Sequence, residues 1–195
     1  IWLGGSTTPN SRTEALSVLQ ELRRKRNARN KFLITKCPWC GAQMGPIDRH
    51  RRTRKGDVKV LGYRQSSGTV SLCCSDPRCF FSKRLPIYVI DDDVYEKRPS
   101  FVIGTVDKFA MLAWGSRPRT IFGLDEEGNR TLSPPGLIIQ DELHLISGPL
   151  GSMVGLYESI IEELCTDRRG TTPIRPKIVC STATIRRYRE QVLAL

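Results

Sequence analysis

Two pairs of cysteines place the strongest constraint on how this chain can fold. Cys37 and Cys40 have two residues between them. Cys74 and Cys79 have four residues between them. A proline lies within each pair and favours a tight turn that lets two thiolates face one ion. The sequence therefore predicts a tetrahedral structural Zn²⁺ site made by these four thiolates, with Cys73 as an alternative ligand to Cys74.

The region around these cysteines, residues 32–90, is expected to be a small β-rich zinc ribbon. Alternating apolar residues at 58–61 and 69–73, with glycine-containing turns, favour short strands. So small a ribbon has little core, and we expect its folding to depend on the metal. The chain has seven cysteines and no secretory signal pattern, which favours a reduced, cytoplasmic setting over a disulfide framework.

The positive charge of the chain is concentrated in its first third. The net charge is +11, and residues 1–60 carry 14 Lys and Arg against 4 Asp and Glu. This excess predicts a polyanionic partner, nucleic acid first, although a solvated basic surface has the same composition. No apolar stretch approaches the roughly 20 residues that cross a membrane. The arginines predicted to contact phosphates are Arg23, Arg24, Arg26, Arg51 and Arg52.

A helix is expected to begin close to Ser11. Ser11 and Glu14 have the spacing of a capping box. The apolar face of this helix would comprise Ala15, Leu16, Leu19 and Leu22. Cations at its C-terminal end suit the helix dipole, which is a structural explanation for some of the arginines there.

Two adjacent acids follow a short apolar stretch near residue 140. Leu137–Ile139 predicts a strand buried on both faces. Just past its carboxyl end lie Asp141, Glu142 and His144. Open α/β sheets bind ligands at this edge, and two acids there suit Mg²⁺-dependent phosphate chemistry. Taken alone, the acidic pair fits a charged turn after an edge strand better. The three consecutive acids at 91–93 are likewise expected to form a solvated turn.

Two further strands are predicted, and both end in polar residues. Residues 101–109 lead from an apolar stretch into Thr105, Asp107 and Lys108. Residues 177–184 end in the hydroxyl side chains of Ser181, Thr182 and Thr184. The order strand, helix, strand, helix favours a right-handed parallel α/β layer, in which such groups meet at one edge.

The polar strand ends resemble motifs of the first RecA-like domain of superfamily 2 helicases. Residues 141–144 look like the DExH box and residues 181–184 like the Ser-Ala-Thr motif. Residues 104–108 look like the strand-binding motif that precedes them. The Cys₄ insert, together with residues 104–110, resembles more particularly the helicase subunit of DISARM, a bacterial anti-phage defence system. The resemblance implies a partial RecA-like parallel sheet with helices on both faces and an inserted zinc ribbon.

The resemblance also implies a role for each matching residue. Asp141 would hold Mg²⁺ on the nucleotide phosphates, and Glu142 would polarise the attacking water. His144 would couple the nucleotide site to the hydroxyl motif Ser181, Thr182 and Thr184. A single strand would be held through its phosphates, without sequence preference, by Thr105, Asp107 and Lys108.

The same resemblance implies domain boundaries and a phosphate-binding loop. Residues 1–31 and 91–195 would belong to RecA-like domain 1, and residues 32–90 to the insert. No Gly-x-x-x-x-Gly-Lys-Ser/Thr pattern occurs in these 195 residues. The phosphate-binding loop and second motor domain are therefore expected outside the chain, which alone would be inactive. ATP, Mg²⁺, nucleic acid (DNA first) and a partner subunit of a defence complex would bind the full-length protein.

Two other functions compete with a helicase fragment. In a non-enzymatic zinc-ribbon module that binds nucleic acid, Asp141 and Glu142 would be structural. Another metal-dependent phosphohydrolase would leave the hydroxyl motif unexplained and lacks further metal ligands. A phosphate-binding loop in the full-length sequence would distinguish a motor from a binding module.

Overall fold

The computed structural model describes residues 1–25, 27–47, 58–142 and 149–181. Its contacts divide the chain into two units, Ile1–Lys108 and Phe109–Leu195. In the described ranges it is a mixed α/β structure with three two-stranded sheets, one of them parallel. The predicted α/β class with parallel strands is thus confirmed, and in these ranges the parallel sheet has two strands. No helix in these ranges is long and apolar enough to cross a membrane.

Helix α1 (Arg12–Arg24) begins where the capping-box spacing predicts. The Ser11 Oγ accepts a hydrogen bond from the Glu14 N–H at 3.1 Å, and Glu14 Oε2 accepts one from the Asn10 N–H at 2.9 Å. These bonds satisfy backbone donors that a helix start leaves without partners. The buried face of the helix comprises Ala15, Val18, Leu19 and Leu22.

The predicted small β ribbon is confirmed as two antiparallel strand pairs. Strand β1 (Gly45–Pro46) pairs with β2 (Val60–Leu61). Strand β3 (Tyr63–Ser66) and β4 (Thr69–Leu72) form a hairpin. Its two turn residues, Ser67 and Gly68, have φ of 50° and 77°. Positive φ at both positions gives the turn the twist that matches its flanking strands.

Helix α1 and the ribbon share one hydrophobic core. The apolar face of α1 packs with buried ribbon residues that include Phe32, Met44 and Leu72. Two of the predicted metal ligands, Cys37 and Cys74, belong to the same core. The metal cysteines therefore lie where the helix and the ribbon meet, and the packing of each depends on the other.

The acids at 91–93 begin helix α2 (Asp91–Lys97), so the prediction of a solvated turn is wrong. Asp91 and Asp93 are buried. Asp93 accepts hydrogen bonds from Arg12 Nε at 2.8 Å and from Thr69 Oγ1 at 2.6 Å. Hydrogen-bonding partners far away in the sequence offset the free-energy cost of burying these carboxylates. Three acids in the first turn also interact favourably with the helix dipole.

Lys108 and Asp91 form a buried ion pair. Lys108 Nζ lies 2.5 Å from Asp91 Oδ2, and both side chains are 5% exposed. The ammonium also lies 5.9 Å from the ring centre of Trp2. Burial raises the pKa of Asp91, and the neighbouring ammonium of Lys108 opposes that rise. The pair therefore keeps a charge in the interior that would otherwise be neutralised by a proton.

Replacing Lys108 with alanine is expected to destabilise this unit by about 3–5 kcal/mol, because Asp91 would remain buried without its cation. Urea unfolding followed by tryptophan fluorescence measures the loss. Lys59→Ala, at an exposed lysine of the same unit, is the control and should change stability by less than about 0.5 kcal/mol. The double variant Asp91→Leu/Lys108→Met should recover most of the loss. Equal effects of Lys108→Ala and Lys59→Ala would contradict the pair's importance.

Residues 101–109 do not form the predicted buried strand. Gly104 makes a single parallel bridge with Trp2, and the Trp2 N–H donates to the Ile103 carbonyl at 2.7 Å. A 3₁₀ helix, Val106–Ala110, follows directly. Phe101 is 72% and Ile103 55% exposed. Two apolar side chains of this stretch are therefore exposed, and its pairing is limited to the bridge at Gly104.

The second unit holds the predicted parallel strands. Helix α3 (Met111–Trp114) and a 3₁₀ helix (Arg117–Phe122) precede β5 (Leu137–Gln140), and helix α4 (Pro149–Cys165) precedes β6 (Lys177–Cys180). Its buried core comprises Leu112, Phe122 and Cys165, against which Ile138 of β5 packs. Cys165 and Cys180 both have apolar neighbours in the sequence, which predicts a core position for each. The prediction is confirmed for Cys165, which is buried, and is wrong for Cys180, which is exposed.

Strand β5 is covered on one face and open on the other. Leu137 is 53% and Ile139 59% exposed, so the prediction of burial on both faces is wrong for this chain. In the described ranges β5 pairs with β6 alone. Burial on both faces requires further layers that these residues do not supply.

Candidate metal centre and strand-end site

Four cysteine sulfurs converge at one point of the first unit. The Sγ atoms of Cys37, Cys40, Cys74 and Cys79 all lie within 4.8 Å of one another. The Cys37–Cys79 separation is 4.0 Å and the Cys40–Cys74 separation is 3.4 Å. With Zn–S bonds of about 2.3 Å, a tetrahedral site needs sulfurs about 3.8 Å apart. The four thiols therefore fit a Cys₄ zinc centre, as the sequence predicts.

Tight turns position both cysteine pairs. In the first, the Gly41 N–H donates to the Cys37 carbonyl at 2.9 Å, and Gly41 has a φ of 75° that favours glycine. In the second, the Cys79 N–H donates to the Asp76 carbonyl at 3.1 Å. The Cys74 N–H donates to the Phe81 carbonyl at 2.9 Å, which folds the second turn back on itself. Backbone hydrogen bonds thus define the shape of both turns and bring each pair of cysteines together.

The structure selects Cys74 over Cys73 as the metal ligand. The two residues follow strand β4, where successive side chains point to opposite faces. The Cys74 sulfur faces the other three sulfurs, whereas Cys73 is buried outside this cluster and its N–H bonds to the Gly62 carbonyl at 2.8 Å. The alternative that the sequence left open is therefore resolved in favour of Cys74.

The pKa values of two thiols in the cluster are shifted in opposite directions. Burial raises the pKa of Cys37, but the backbone N–H groups of Cys40 and Trp39 and the nearby thiols outweigh it and lower the pKa to about 7. Burial raises the pKa of Cys74 to about 12, against a hydrogen bond from the Asp76 N–H that lowers it. Four thiolates this close together repel one another, and a bound divalent cation would offset that repulsion.

The predicted acidic pair lies at the end of a parallel strand pair in the second unit. Strands β5 and β6 run in register from Leu137 opposite Lys177 to Gln140 opposite Cys180. The Ser181 N–H donates to the Gln140 carbonyl at 2.8 Å. Asp141, Glu142 and Ser181 therefore leave the sheet at the same carboxyl edge, and all three are exposed. This is the edge where open α/β sheets bind ligands.

The backbone at this edge is constrained locally. Glu142 has a φ of 55°, which is unusual for a residue with a side chain. Its N–H donates to Asp141 Oδ1 at 3.0 Å. Strained backbone of this kind occurs often at functional sites, where the surrounding structure holds it.

A contact from helix α4 supports the strand end, and sequence reasoning did not assign it. Gln140 Nε2 donates to Glu158 Oε1 at 2.6 Å, and Gln140 Oε1 accepts from Cys180 Sγ at 3.1 Å. The position of Gln140 directly before the acidic pair was the available signal. These bonds connect β5 to the helix and to the neighbouring strand.

The remaining predicted strand-end residues fall into two groups. Thr105 and Asp107 are exposed in the first unit, whereas Lys108 is buried against Asp91. Contact of Lys108 with a phosphate would require this pair to open. The other residues, namely His144, Thr182 and Thr184, lie outside the described residues.

The predicted basic contacts are described in part. Arg23 and Arg24 are exposed at the C-terminal end of α1, where the Arg23 carbonyl accepts from the Val58 N–H at 2.8 Å. The structure does not describe the three other arginines predicted to contact phosphates, namely Arg26, Arg51 and Arg52.

Comparison with known proteins gives one informative similarity. No family model matches the chain. The chain is 33% identical, over 226 aligned positions, to the DISARM protein DrmA of Bacillus paralicheniformis (strain ATCC 9945a / NCIMB 11709 / CD-2). The alignment covers 98% of this chain and 19% of DrmA, so the chain spans about a fifth of the length of that relative. The similarity supports a DrmA-like relationship.

Proposed function

We propose that this chain is part of an ATP-dependent nucleic-acid helicase or translocase of a DISARM-type defence system. The observation that carries the proposal is the register of β5 and β6, which brings Asp141, Glu142 and Ser181 to one sheet edge. The similarity to DrmA along nearly the whole chain is independent support. A RecA-like sheet would place these residues in the same way.

In this proposal the acidic pair belongs to a nucleotide site. The exposed carboxylate of Asp141 is an oxygen ligand of the type that Mg²⁺ prefers, and it would hold the ion on the nucleotide phosphates. Bound Mg²⁺ would neutralise charge that develops on the phosphates. Glu142, one residue further, orients the attacking water and accepts its proton. The hydroxyl motif that starts at Ser181 couples this site to movement along a strand, together with His144, Thr182 and Thr184.

The Cys₄ centre has a structural role in this proposal. Its four sulfurs would fill all four positions of a tetrahedral zinc ion. No position would then remain for a substrate on the metal. The zinc ribbon therefore holds α1 and the hairpin together. Nucleic acid, DNA first, is the proposed partner of the basic first unit, and another subunit of the defence system is a second proposed partner.

The proposal is tested on the full-length protein by measuring ATP hydrolysis with and without single-stranded DNA. We expect hydrolysis that DNA stimulates, accompanied by displacement of an annealed strand. Tight DNA binding without any hydrolysis would instead support the non-enzymatic zinc-ribbon module. Absence of both activities would contradict both functions.

A further inference from the structure

Three aromatic rings form a patch on the outside of the Cys₄ centre. The Phe81 ring contacts Trp39 with 5.7 Å between ring centres and Phe80 with 5.0 Å. Both contacts are edge-to-face, with interplanar angles of 79° and 89°. Trp39 is 69% exposed and Phe80 is 83% exposed, whereas Phe81 is partly buried against the core. Phe81 thus supports two rings that face solvent.

Folding alone does not explain two large exposed rings at this place. A single exposed apolar residue is common on protein surfaces, but contiguous exposed rings mark binding surfaces. Trp39 directly precedes the ligand Cys40, and Phe80 directly follows the ligand Cys79. The metal centre therefore holds the backbone of both residues, so the rings are presented without a large loss of conformational freedom on binding.

The charges around the patch favour a polyanion. The segments that carry the rings, residues 36–40 and 74–84, contain Lys36, Arg78, Lys83 and Arg84 against the single acid Asp76. All four cations are exposed. The Arg78 side chain is 90% exposed, and its Nε lies 3.5 Å from Asp76 Oδ1. Surfaces that bind single-stranded nucleic acids combine two features, exposed aromatic rings for the bases and cations for the phosphates. This patch has both.

We propose that Trp39 and Phe80, supported by Phe81, form a stacking platform for the bases of a single strand. The flanking Lys36 and Lys83 bind its phosphates. A duplex is a poorer occupant because its bases are already stacked and its outer surface is charged. A protein partner would match the rings but would not need the surplus of cations. This assignment deepens the proposed function, on which it rests, by naming a surface that holds the nucleic acid.

The test measures fluorescence anisotropy of a short labelled oligo(dT) titrated with the zinc-loaded 195-residue chain. We expect Trp39→Ala/Phe80→Ala to weaken binding about tenfold or more at about 0.1 M salt, since each stacked base contributes substantially. Trp39→Phe/Phe80→Tyr should stay within about threefold of wild type because it keeps the rings. Phe101→Ala, which removes another exposed phenylalanine of the same unit, is the matched control and should have no effect.

A second variant tests the charges without touching the rings. Lys36→Glu/Lys83→Glu should weaken oligo(dT) binding and lower its dependence on salt, because fewer counterions are released. Zinc content and thermal unfolding of every variant should equal those of wild type. Two results would overturn the proposal. One is wild-type oligo(dT) binding by a folded Trp39→Ala/Phe80→Ala variant. The other is that this variant loses binding to a protein partner but keeps its binding to oligo(dT).

The outcome is separable from that of the proposed function. A full-length protein that hydrolyses no ATP contradicts the motor, while ring-dependent oligo(dT) binding by this chain would still support the platform. DNA-stimulated hydrolysis that is unaffected by loss of the rings, with unchanged oligo(dT) binding, contradicts the platform alone.

Discussion

Removal of zinc is expected to unfold the first unit. Two of the four ligands, Cys37 and Cys74, are buried in the core that joins α1 to the ribbon. A structural zinc ion contributes about 10–16 kcal/mol in small zinc-binding domains. Most domains have a net stability of only about 5–15 kcal/mol. A strong chelator should therefore abolish the cooperative thermal transition of Ile1–Lys108, followed by circular dichroism with zinc content measured in parallel.

Adjacent cysteines provide the matched control for this prediction. Cys74→Ala should lose zinc and unfold the unit, because it removes a ligand. Cys73→Ala should keep one zinc ion per chain and unfold at a slightly lower temperature, since Cys73 is buried outside the metal cluster. A chain that retains its thermal transition in chelator, or a Cys73→Ala variant that loses zinc, would contradict the assigned centre.

Glu142→Gln in the full-length protein is expected to lower the rate of ATP hydrolysis by about 10²- to 10⁴-fold, the usual contribution of a general base. The substitution keeps the size of the side chain but removes its ability to accept a proton. ATP binding should change little, because Asp141 and the phosphate contacts remain. Steady-state hydrolysis and nucleotide binding, measured on the same preparations, separate these effects.

Glu127→Gln provides the comparison for the catalytic substitution. Glu127 is an exposed glutamate in the turn between Asp125 and Asn129, and its change should leave hydrolysis as it is in wild type. Equal rates for Glu142→Gln and wild type would remove the assigned role of Glu142. A loss of nucleotide binding along with hydrolysis would point to a structural role for the residue in the strained turn.

Local sequence patterns predicted the elements that depend on neighbours a few residues apart. The start of α1 follows from Ser11 and Glu14, because an N-cap bond joins residues three positions apart. The strands Val60–Leu61 and Thr69–Leu72 follow from the alternating apolar residues at 58–61 and 69–73. The cysteine quartet follows from paired spacings that suit two tight turns.

Predictions failed where a residue's partner lies far away in the sequence. Asp93 was expected in solvent, but Arg12 and Thr69 bind it in the interior. Lys108 is likewise buried, because its ammonium lies against the carboxylate of Asp91. A charged residue can be buried when an opposite charge meets it, and no short window of sequence contains that opposite charge.

The sequence by itself determined that four thiolates can surround one metal ion and that two acids follow an apolar strand. Both depend on spacing along the chain, which a reader of the sequence can measure. Only the tertiary structure decided which of Cys73 and Cys74 joins the other three sulfurs, because that choice depends on the direction of each side chain in the folded chain. It also set the register that brings Ser181 and Asp141 to the predicted common edge, because parallel register depends on long-range hydrogen bonds.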